Sequence, residues 1–300
     1  DKVIDIEACF LMDDYANLIR NGIRDFTLTK KASYYNARTW SGLMRNLVIR
    51  KTLKNEWMLI VVFGYEDPFV IELMDFIHEN FSKITSLYYI INTKKNDSIS
   101  DLSVNLYKGK EFIEEEMEGL TFRVSPLSFY QTNSKQAYVL YKIARDFAKI
   151  SSEDIVYDLY TGTGTIANFV AKNAKKVIGI EYVDMAIEDA IINSKINNIT
   201  NTQFYAGDMA KVLNDDFVIK NGKPDIIITD PPRAGMHPDV VDQILKISPK
   251  RIVYVSCNPS TQARDIAMLS SHYKITSIQA VDMFPHTQHV ENVCCLELIQ

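Results

Sequence analysis

Apolar and polar positions follow two different rhythms along this chain, and the change falls near residue 154. Before it the pattern is mixed. Tyr15, Leu18, Ile19, Ile23 and Phe26 recur at helical spacing and predict a helix within residues 1–31, weakened at Gly22. Residues 43–51 and 56–64 read as two strands, with Thr52-Leu53-Lys54-Asn55 as a hairpin turn between them. A helix is predicted over 67–81, with Asp67 placed to cap it ahead of Pro68. Further strands are predicted at 86–92, 102–108, 112–117 and 120–124, the last three around turns at Gly109 and Gly119, and a helix at 134–150 leads onward. This first region is an α+β module. From Asp154 strands recur at 155–160, 176–181, 203–206, 225–229, 251–257, 275–283 and 293–299, and a helical pattern follows each of the first five. Such alternation predicts an α/β fold, a parallel sheet with helices on both faces. Only residues 284–292 separate the last two strands, too few for a crossover helix, so they should pair antiparallel at the sheet's end.

A length of 300 residues suits two domains, and 47% hydrophobic with 24% charged residues suits an ordinary globular core. No apolar run approaches 20 residues and no signal-peptide pattern opens the chain, so neither a membrane span nor secretion is expected. The cysteines Cys9, Cys257, Cys294 and Cys295 have neither metal-ligand spacing nor the look of a disulfide framework, which fits a reducing cytoplasm. A net charge of −5 argues against a protein that coats nucleic acid non-specifically. Locally the balance reverses. Between Arg20 and Lys54 nine bases face one acid, Asp25, a stretch that reads either as a track for phosphates or as a solvated basic face.

Five strand ends carry candidate chemistry. Asp158-Leu-Tyr-Thr-Gly162-Thr-Gly164-Thr165 joins the first strand of the second region to its helix, where glycines allow a tight turn and close approach of a ligand. Glu181 ends the next strand and suits ribose hydroxyls. The loop also satisfies the loose dinucleotide pattern G-x-G-x-x-A, so NAD competes. Asp158 ahead of the loop repels a pyrophosphate and attracts a cationic aminoacyl group, and the antiparallel final pair departs from the dinucleotide fold. Both favour S-adenosylmethionine over NAD. Asp208 closes the third strand, either near an adenine or as a helix cap. Asp230-Pro-Pro-Arg233-Ala-Gly235 is a stiff loop that presents Asp230 and Arg233 at the same edge. Cys257 ends the fifth strand before Asn258-Pro259. On that stretch alone it reads equally as a nucleophile favoured by a nearby helix N-terminus or as a small core residue.

Five motifs in order carry a family likeness: Phe129-Tyr-Gln131-Thr-Asn133, Asp158-Leu-Tyr-Thr-Gly-Thr-Gly164, Asp230-Pro-Pro-Arg-Ala-Gly235, Val255-Ser-Cys-Asn-Pro259 and Asp282-Met-Phe-Pro-His-Thr-Gln-His-Val-Glu291. Together they closely resemble the RNA uracil-5-methyltransferases, densely from about Ser125 onward and more loosely over residues 1–124. The resemblance implies a seven-stranded class I methyltransferase sheet, Rossmann-like, over 125–300, with a smaller α+β, RNA-facing domain over 1–124. It implies that Cys257 is the nucleophile and Glu291 the general base. Gln131, Tyr160, Thr165, Glu181, Asp208 and Asp230 would line the S-adenosylmethionine pocket. Phe129 and Arg233 would face the RNA substrate, Phe129 touching the target base or the cofactor. Ribosomal RNA is the implied target ahead of transfer RNA. Some members hold an iron–sulfur cluster. Cys9 falls about where a last ligand would lie, but no other cluster cysteine accompanies it and no cluster or other metal is expected. Thr161 stands where a cysteine is common in the family.

The implied reaction explains the residue types. Uracil C5 attacks a methyl sulfonium only after a thiolate adds at C6, and a base must then remove the C5 proton before the thiol leaves. A thiol of ordinary pKa is only slightly ionised at neutral pH, so the site is expected to lower it. Reaching C5 requires a splayed base, with Phe129 and Tyr130 as stacking candidates. His286 and His289 are read as hydrogen-bonding loop residues, since two ligands without a third make a weak metal site. Rival readings are a methyltransferase for exocyclic amines, which needs no cysteine, a cytosine-5 enzyme, whose cysteine lies in the fourth-strand loop, and a non-catalytic RNA-binding module.

Overall fold

The computed structural model describes residues 4–299, so the first three positions of the predicted opening helix and the last residue lie outside the described residues. The chain forms two compact units, Asp1–Glu115 with Val124–Leu127, and Glu116–Arg123 with Ser128–Gln300.

In the first unit α1 spans Asp14–Thr29, starting where Asp13 caps Tyr15 N–H. Gly22 does not break it. A Cβ there would lie 2.7 Å from the Phe81 ring, so the glycine is where that ring seats against the helix. β1 (Met44–Lys51) and β2 (Trp57–Phe63) pair antiparallel across the expected hairpin. β2 pairs in parallel with β3 (Ile84–Ile91), and α2 (Phe69–Asn80) makes the crossover. Asp67 accepts from Phe69 N–H at 2.9 Å, as its position before Pro68 suggested. β4 (Asn105–Gly109) completes a four-stranded sheet in the order β1-β2-β3-β4. β2 is buried along its whole length, between α1 and α2 on one side and its sheet neighbours in line, which is why Trp57 to Phe63 carry no polar residue.

Beyond a small ribbon of β5 (Ile113–Met117) and β6 (Leu120–Val124), α3 (Ser134–Ala148) opens the larger part of the second unit. There β7 (Ile155–Leu159), β8 (Lys176–Glu181), β9 (Thr202–Ala206), β10 (Ile226–Thr229), β11 (Arg251–Ser256), β12 (Tyr273–Val281) and β13 (Glu291–Leu298) form one sheet in the order β12-β13-β11-β10-β7-β8-β9. The first five run parallel, and α4 (Thr165–Ala171), α5 (Asp184–Ile196), α8 (Pro238–Ile247) and α9 (Pro259–Leu269) make crossovers, with α6 (Met209–Val212) and α7 (Asp215–Asn221) sharing one. β13 inserts antiparallel between β11 and β12. Alternate residues of the central strands feed two cores. Ile226 and Ile228 face one with α3 and α4, while Ile227 faces the other with α8. The sheet's order reverses between β7 and β10, so the carboxyl ends of those strands open onto a crevice.

Candidate active site

Five strands end at one edge and deliver the candidate residues there. Asp158 lies within β7, fully buried, because its neighbours Tyr157 and Leu159 face the opposite core. Its Oδ2 accepts from Thr161 Oγ1 at 2.5 Å and from Ala167 N–H at 2.9 Å, at the start of α4. Its Oδ1 is buried with no hydrogen-bond partner. Burial pushes this carboxyl up to about 7 despite those two bonds, and the charge of Glu181 adds to the rise. Asp230, just past β10, is pushed up to about 8 by burial first, then by the charges of Glu291 and Asp158. Neither carboxylate forms an ion pair among the described residues. Gln131 reaches this corner through the buried hydroxyl of Tyr141 on α3, which it hydrogen-bonds and which lies near Asp230 and Asp158. Tyr141 has no motif to mark it. It is one buried position on a helical face, and only the packing of α3 brings it here.

The glycine turn is built in two parts. Gly164 sits at φ +72°, and a Cβ there would be 2.8 Å from Ala190 and 3.0 Å from Phe204. Gly162, at φ +55°, would place a Cβ in open space with nothing within 4 Å. One glycine is needed for packing and the other faces a gap. Gly164→Ala is therefore expected to lose roughly 2–4 kcal/mol of stability from strain and overpacking together. Gly162→Ala should lose about 1 kcal/mol from backbone strain alone, while weakening whatever ligand approaches the turn. Denaturant titration with and without ligand separates the two. Glu181 holds the turn from below, accepting Gly162 N–H at 3.1 Å and Val183 N–H at 3.0 Å, and stays half-exposed. Thr165 is buried, its hydroxyl 3.2 Å from that of Thr163. Tyr160 holds a left-handed backbone at φ +63°, and its ring packs on the α8 side of the sheet rather than toward Asp158. Asp208 caps α6, accepting Ala210 N–H at 3.1 Å. Phe129 is 71% exposed.

Cys257 and Glu291 meet through strand register. β11 and β13 pair antiparallel as far as Ser256 with Asn292, and Cys257 and Glu291 are the next residues along each chain, near enough for the Glu291 charge to act on the Cys257 thiol. Glu291 is buried and its carboxyl raised by that burial, with Arg233 pulling the other way. Arg233 acts to favour the Cys257 thiolate and donates to His289 Nδ1 at 2.8 Å. Its loop is held in place from α9, where Asn258 Nδ2 and Thr261 Oγ1 both donate to the Arg233 carbonyl at 3.1 Å. Arg233, Cys257, Asn258, Pro259, Gln288, His289 and Val290 line a pocket of about 240 Å³.

The expected lowering of the thiol pKa is not found. Burial raises it first and the Glu291 charge next, and Arg233 only partly opposes them. Cys257 precedes Asn258, which caps α9 by accepting Ser260 N–H. The physical cause is burial of the thiol, with the charges of Glu291 and Asp230 added and one guanidinium opposing them. The donor set therefore suits a cationic, hydroxyl-bearing ligand: the buried Asp158 with its orphaned oxygen, the part-buried Asp230, neither in an ion pair, and a half-exposed Glu181 beside an open glycine turn. A pyrophosphate would meet repulsion from Asp158 and Asp230.

Residues 103–299 match the family described as tRNA (uracil-5-)-methyltransferase. The chain belongs to this family. It is 58% identical over 302 aligned residues to an uncharacterized RNA methyltransferase of Bacteroides thetaiotaomicron, covering 99% of this chain and 66% of the relative. An uncharacterized RNA methyltransferase of Porphyromonas gingivalis is 56% identical, over 99% of this chain and 65% of its own length. The chain thus spans just under two thirds of these relatives. Among solved structures, Pyrococcus abyssi tRNA (uracil-54, C5)-methyltransferase in complex with S-adenosyl-L-homocysteine superposes with a TM-score of 0.77 at 34% identity, covering 98% of this chain and 70% of that one. The family's α/β sheet is shared more widely. M. jannaschii tRNA m1G37 methyltransferase gives a TM-score of 0.53 at 14% identity, covering 88% of this chain and 78% of that one, a likeness of fold alone.

Proposed function

We propose that this chain methylates C5 of a uridine in RNA, with S-adenosylmethionine as methyl donor and Cys257 and Glu291 as nucleophile and base. The observation that carries the reading is the convergence of Cys257, just past the paired end of β11, with Glu291 at the start of β13 and Arg233, both of which act on its thiol. Cys257 adds to uracil C6, Arg233 steadies the thiolate before attack, and Glu291 takes the C5 proton so that the thiol can leave. S-adenosylmethionine supplies an electrophilic methyl on a cationic sulfur. Asp158 and Asp230 hold the positive side of that ligand, Glu181 its ribose hydroxyls, and Gln131, Thr165, Tyr160 and Asp208 the surrounding wall. Phe129, exposed ahead of α3, meets the RNA or the cofactor.

Ribosomal RNA is the proposed target, carried by the family resemblance. Transfer RNA is the second reading, favoured by the 34% identical P. abyssi neighbour, whose name specifies uracil-54 of tRNA. Nucleoside analysis after incubating the chain with labelled donor and unmodified transcripts of each class tests both. 5-Methyluridine in ribosomal RNA supports the first reading and in transfer RNA the second. Label in cytosine or in an exocyclic amine, or none in any RNA, sinks both.

The two raised carboxyls give the site a pH signature. In the ligand-free protein Asp158 and Asp230 take up protons near pH 7 and 8, well above their unfolded range near 4. The folded state then binds more protons than the unfolded chain between those limits, so its stability falls as pH rises through that window. A cationic ligand favours the ionised carboxyls, so donor affinity should rise over the same range with protons released on binding. Thermal unfolding at pH 6 and 8.5, and titration calorimetry in buffers of different ionisation enthalpy, check the two signs. Asp230→Asn should flatten both trends.

A further inference from the structure

The basic stretch between Arg20 and Lys54 is mostly tied up inside the first unit. Arg20 donates to the Ile6 and Glu7 carbonyls, Arg24 to Asp5, Lys30 pairs with Glu72, Lys51 with Asp13 and Lys54 with Glu114, and Arg50 donates to the Ser125 carbonyl. These charges hold the fold together and leave little for a phosphate track. What remains lies at one end of the four-stranded sheet. The loop before β1 and the loops after β2 and β3 meet there, linked by Gly64 N–H to the Leu43 carbonyl at 2.7 Å and Asn92 N–H to the Phe63 carbonyl at 2.7 Å. Arg45 stitches two of them. Its side chain is 1% exposed, its guanidinium stands 3.9 Å over the Tyr35 ring, and it donates to the carbonyls of Asn92 and Lys94 at 2.6 Å and of Asn96 at 3.0 Å.

On this frame Trp40 is displayed rather than packed. Its indole is 48% exposed, and its backbone sits at φ +57°, a left-handed position that costs about 1–3 kcal/mol unless the surroundings impose it. They do: Trp40 N–H donates to the Asn36 carbonyl at 2.8 Å and Asn36 N–H to the Ser41 carbonyl at 2.8 Å. Lys95, from the loop after β3, sets its ammonium 5.7 Å from the indole centre. Charge here is close to balanced, because Lys94 pairs with Asp101 and Arg45 with Asp97, and Glu66 stands in the third loop. Arg38 and Lys95 form no ion pair among the described residues. An exposed indole fixed by its backbone turn, with one cation over its ring, in a neutral setting, suits the face of a base better than a run of phosphates.

We propose that Trp40, with Lys95 alongside, is a stacking platform for an unpaired base of the RNA substrate. The inference rests on the reading of the chain as an RNA enzyme. It assigns the first unit a contact through base faces, tolerant of sequence, while the target uridine is handled at Cys257.

The test uses a fluorescein-labelled 12-nucleotide oligouridylate, a duplex of the same length, and the chain with Trp40 intact, as Trp40→Phe and as Trp40→Ala. Loss of one base–aromatic stack weakens binding about 5- to 150-fold. Trp40→Ala is expected to bind the oligouridylate at least about 10-fold more weakly, and Trp40→Phe to keep most of the affinity. The ratio between wild type and Trp40→Ala should stay constant from low to high salt, because the lost contact is not ionic. The oligouridylate should quench wild-type tryptophan emission and not that of Trp40→Phe, since the remaining Trp57 is 2% exposed. The duplex should not quench. Unchanged affinity in Trp40→Ala, or equal quenching by the duplex, overturns the platform. 5-Methyluridine formation by the wild type reports separately on the uracil reading: product formed while Trp40→Ala binds normally sinks the platform alone, and no product from any RNA sinks the uracil reading.

Discussion

Cys257→Ala is expected to lower methyl transfer to uridine by on the order of 10⁴- to 10⁶-fold, the scale seen when a nucleophile is removed from a site that acts as a unit. No other thiol can replace it from within the sheet, because Cys294 and Cys295 are buried in β13 and burial pushes the Cys294 thiol up to about 12. The same substitution should leave donor binding intact, since Asp158, Asp230 and the glycine turn do not depend on the sulfur. Incubation with donor and RNA carrying 5-fluorouridine, whose fluorine does not leave as a proton does, should trap a covalent protein–RNA species on the wild type. Mass spectrometry should find none on Cys257→Ala. An adduct surviving the substitution, or turnover within about 10-fold of wild type, would sink the covalent reading. The electrostatics add a finer expectation. The thiol is raised in the free protein by burial, Glu291 and Asp230, against which Arg233 stands as the opposing charge. A cationic donor beside the two acids removes part of that opposition. Alkylation of Cys257 by iodoacetamide should therefore set in at lower pH with donor bound than without.

How much of this was legible beforehand depends on whether the signal was local. The second unit's strands announce themselves as short apolar runs bounded by turn residues, and β10 and β11 fall within a residue or so of where the pattern puts them. The insertion of β13 between β11 and β12 was not legible, because strand order is a long-range choice that neighbouring residues do not encode. Yet that insertion is what brings Glu291 near Cys257. Asp158, Glu181 and Asp230 were visible because strand ends beside glycine or proline turns mark a ligand edge. Tyr141 was not visible, since a tyrosine on a helix face has no local mark. Thr161, given no role on sequence grounds, donates to Asp158 at 2.5 Å. The pKa of Cys257 was misjudged for a related reason. A helix N-terminus is readable two residues away, whereas the burial of the thiol and the acids near it depend on how β11 packs beside the ends of β10 and β13. The basic stretch of the first unit shows the same limit: composition counted its charges but could not show that most are already paired.

Glu291→Gln should separate the two halves of the reaction that Cys257→Ala removes together. With an amide in place of the carboxylate, thiolate addition and methylation can still proceed, but the C5 proton stays and the enzyme remains attached to its product. A covalent complex with ordinary uridine RNA is then expected to accumulate, with turnover lower by about 10²- to 10⁴-fold. Glu291 is buried and its carboxyl raised, so the base form is lost as pH falls through that raised value and the wild-type rate should drop on the acid side. That acid limb should vanish in Glu291→Gln. Stability moves the opposite way. A carboxyl raised on folding destabilises the fold above its unfolded pKa, so the amide should unfold no more readily than wild type at pH 8. Loss of turnover with stability kept and adduct gained would assign Glu291 to proton removal. Loss of turnover with no adduct would sink that assignment, since removing a charge that raises the Cys257 thiol should ease thiolate formation rather than block it.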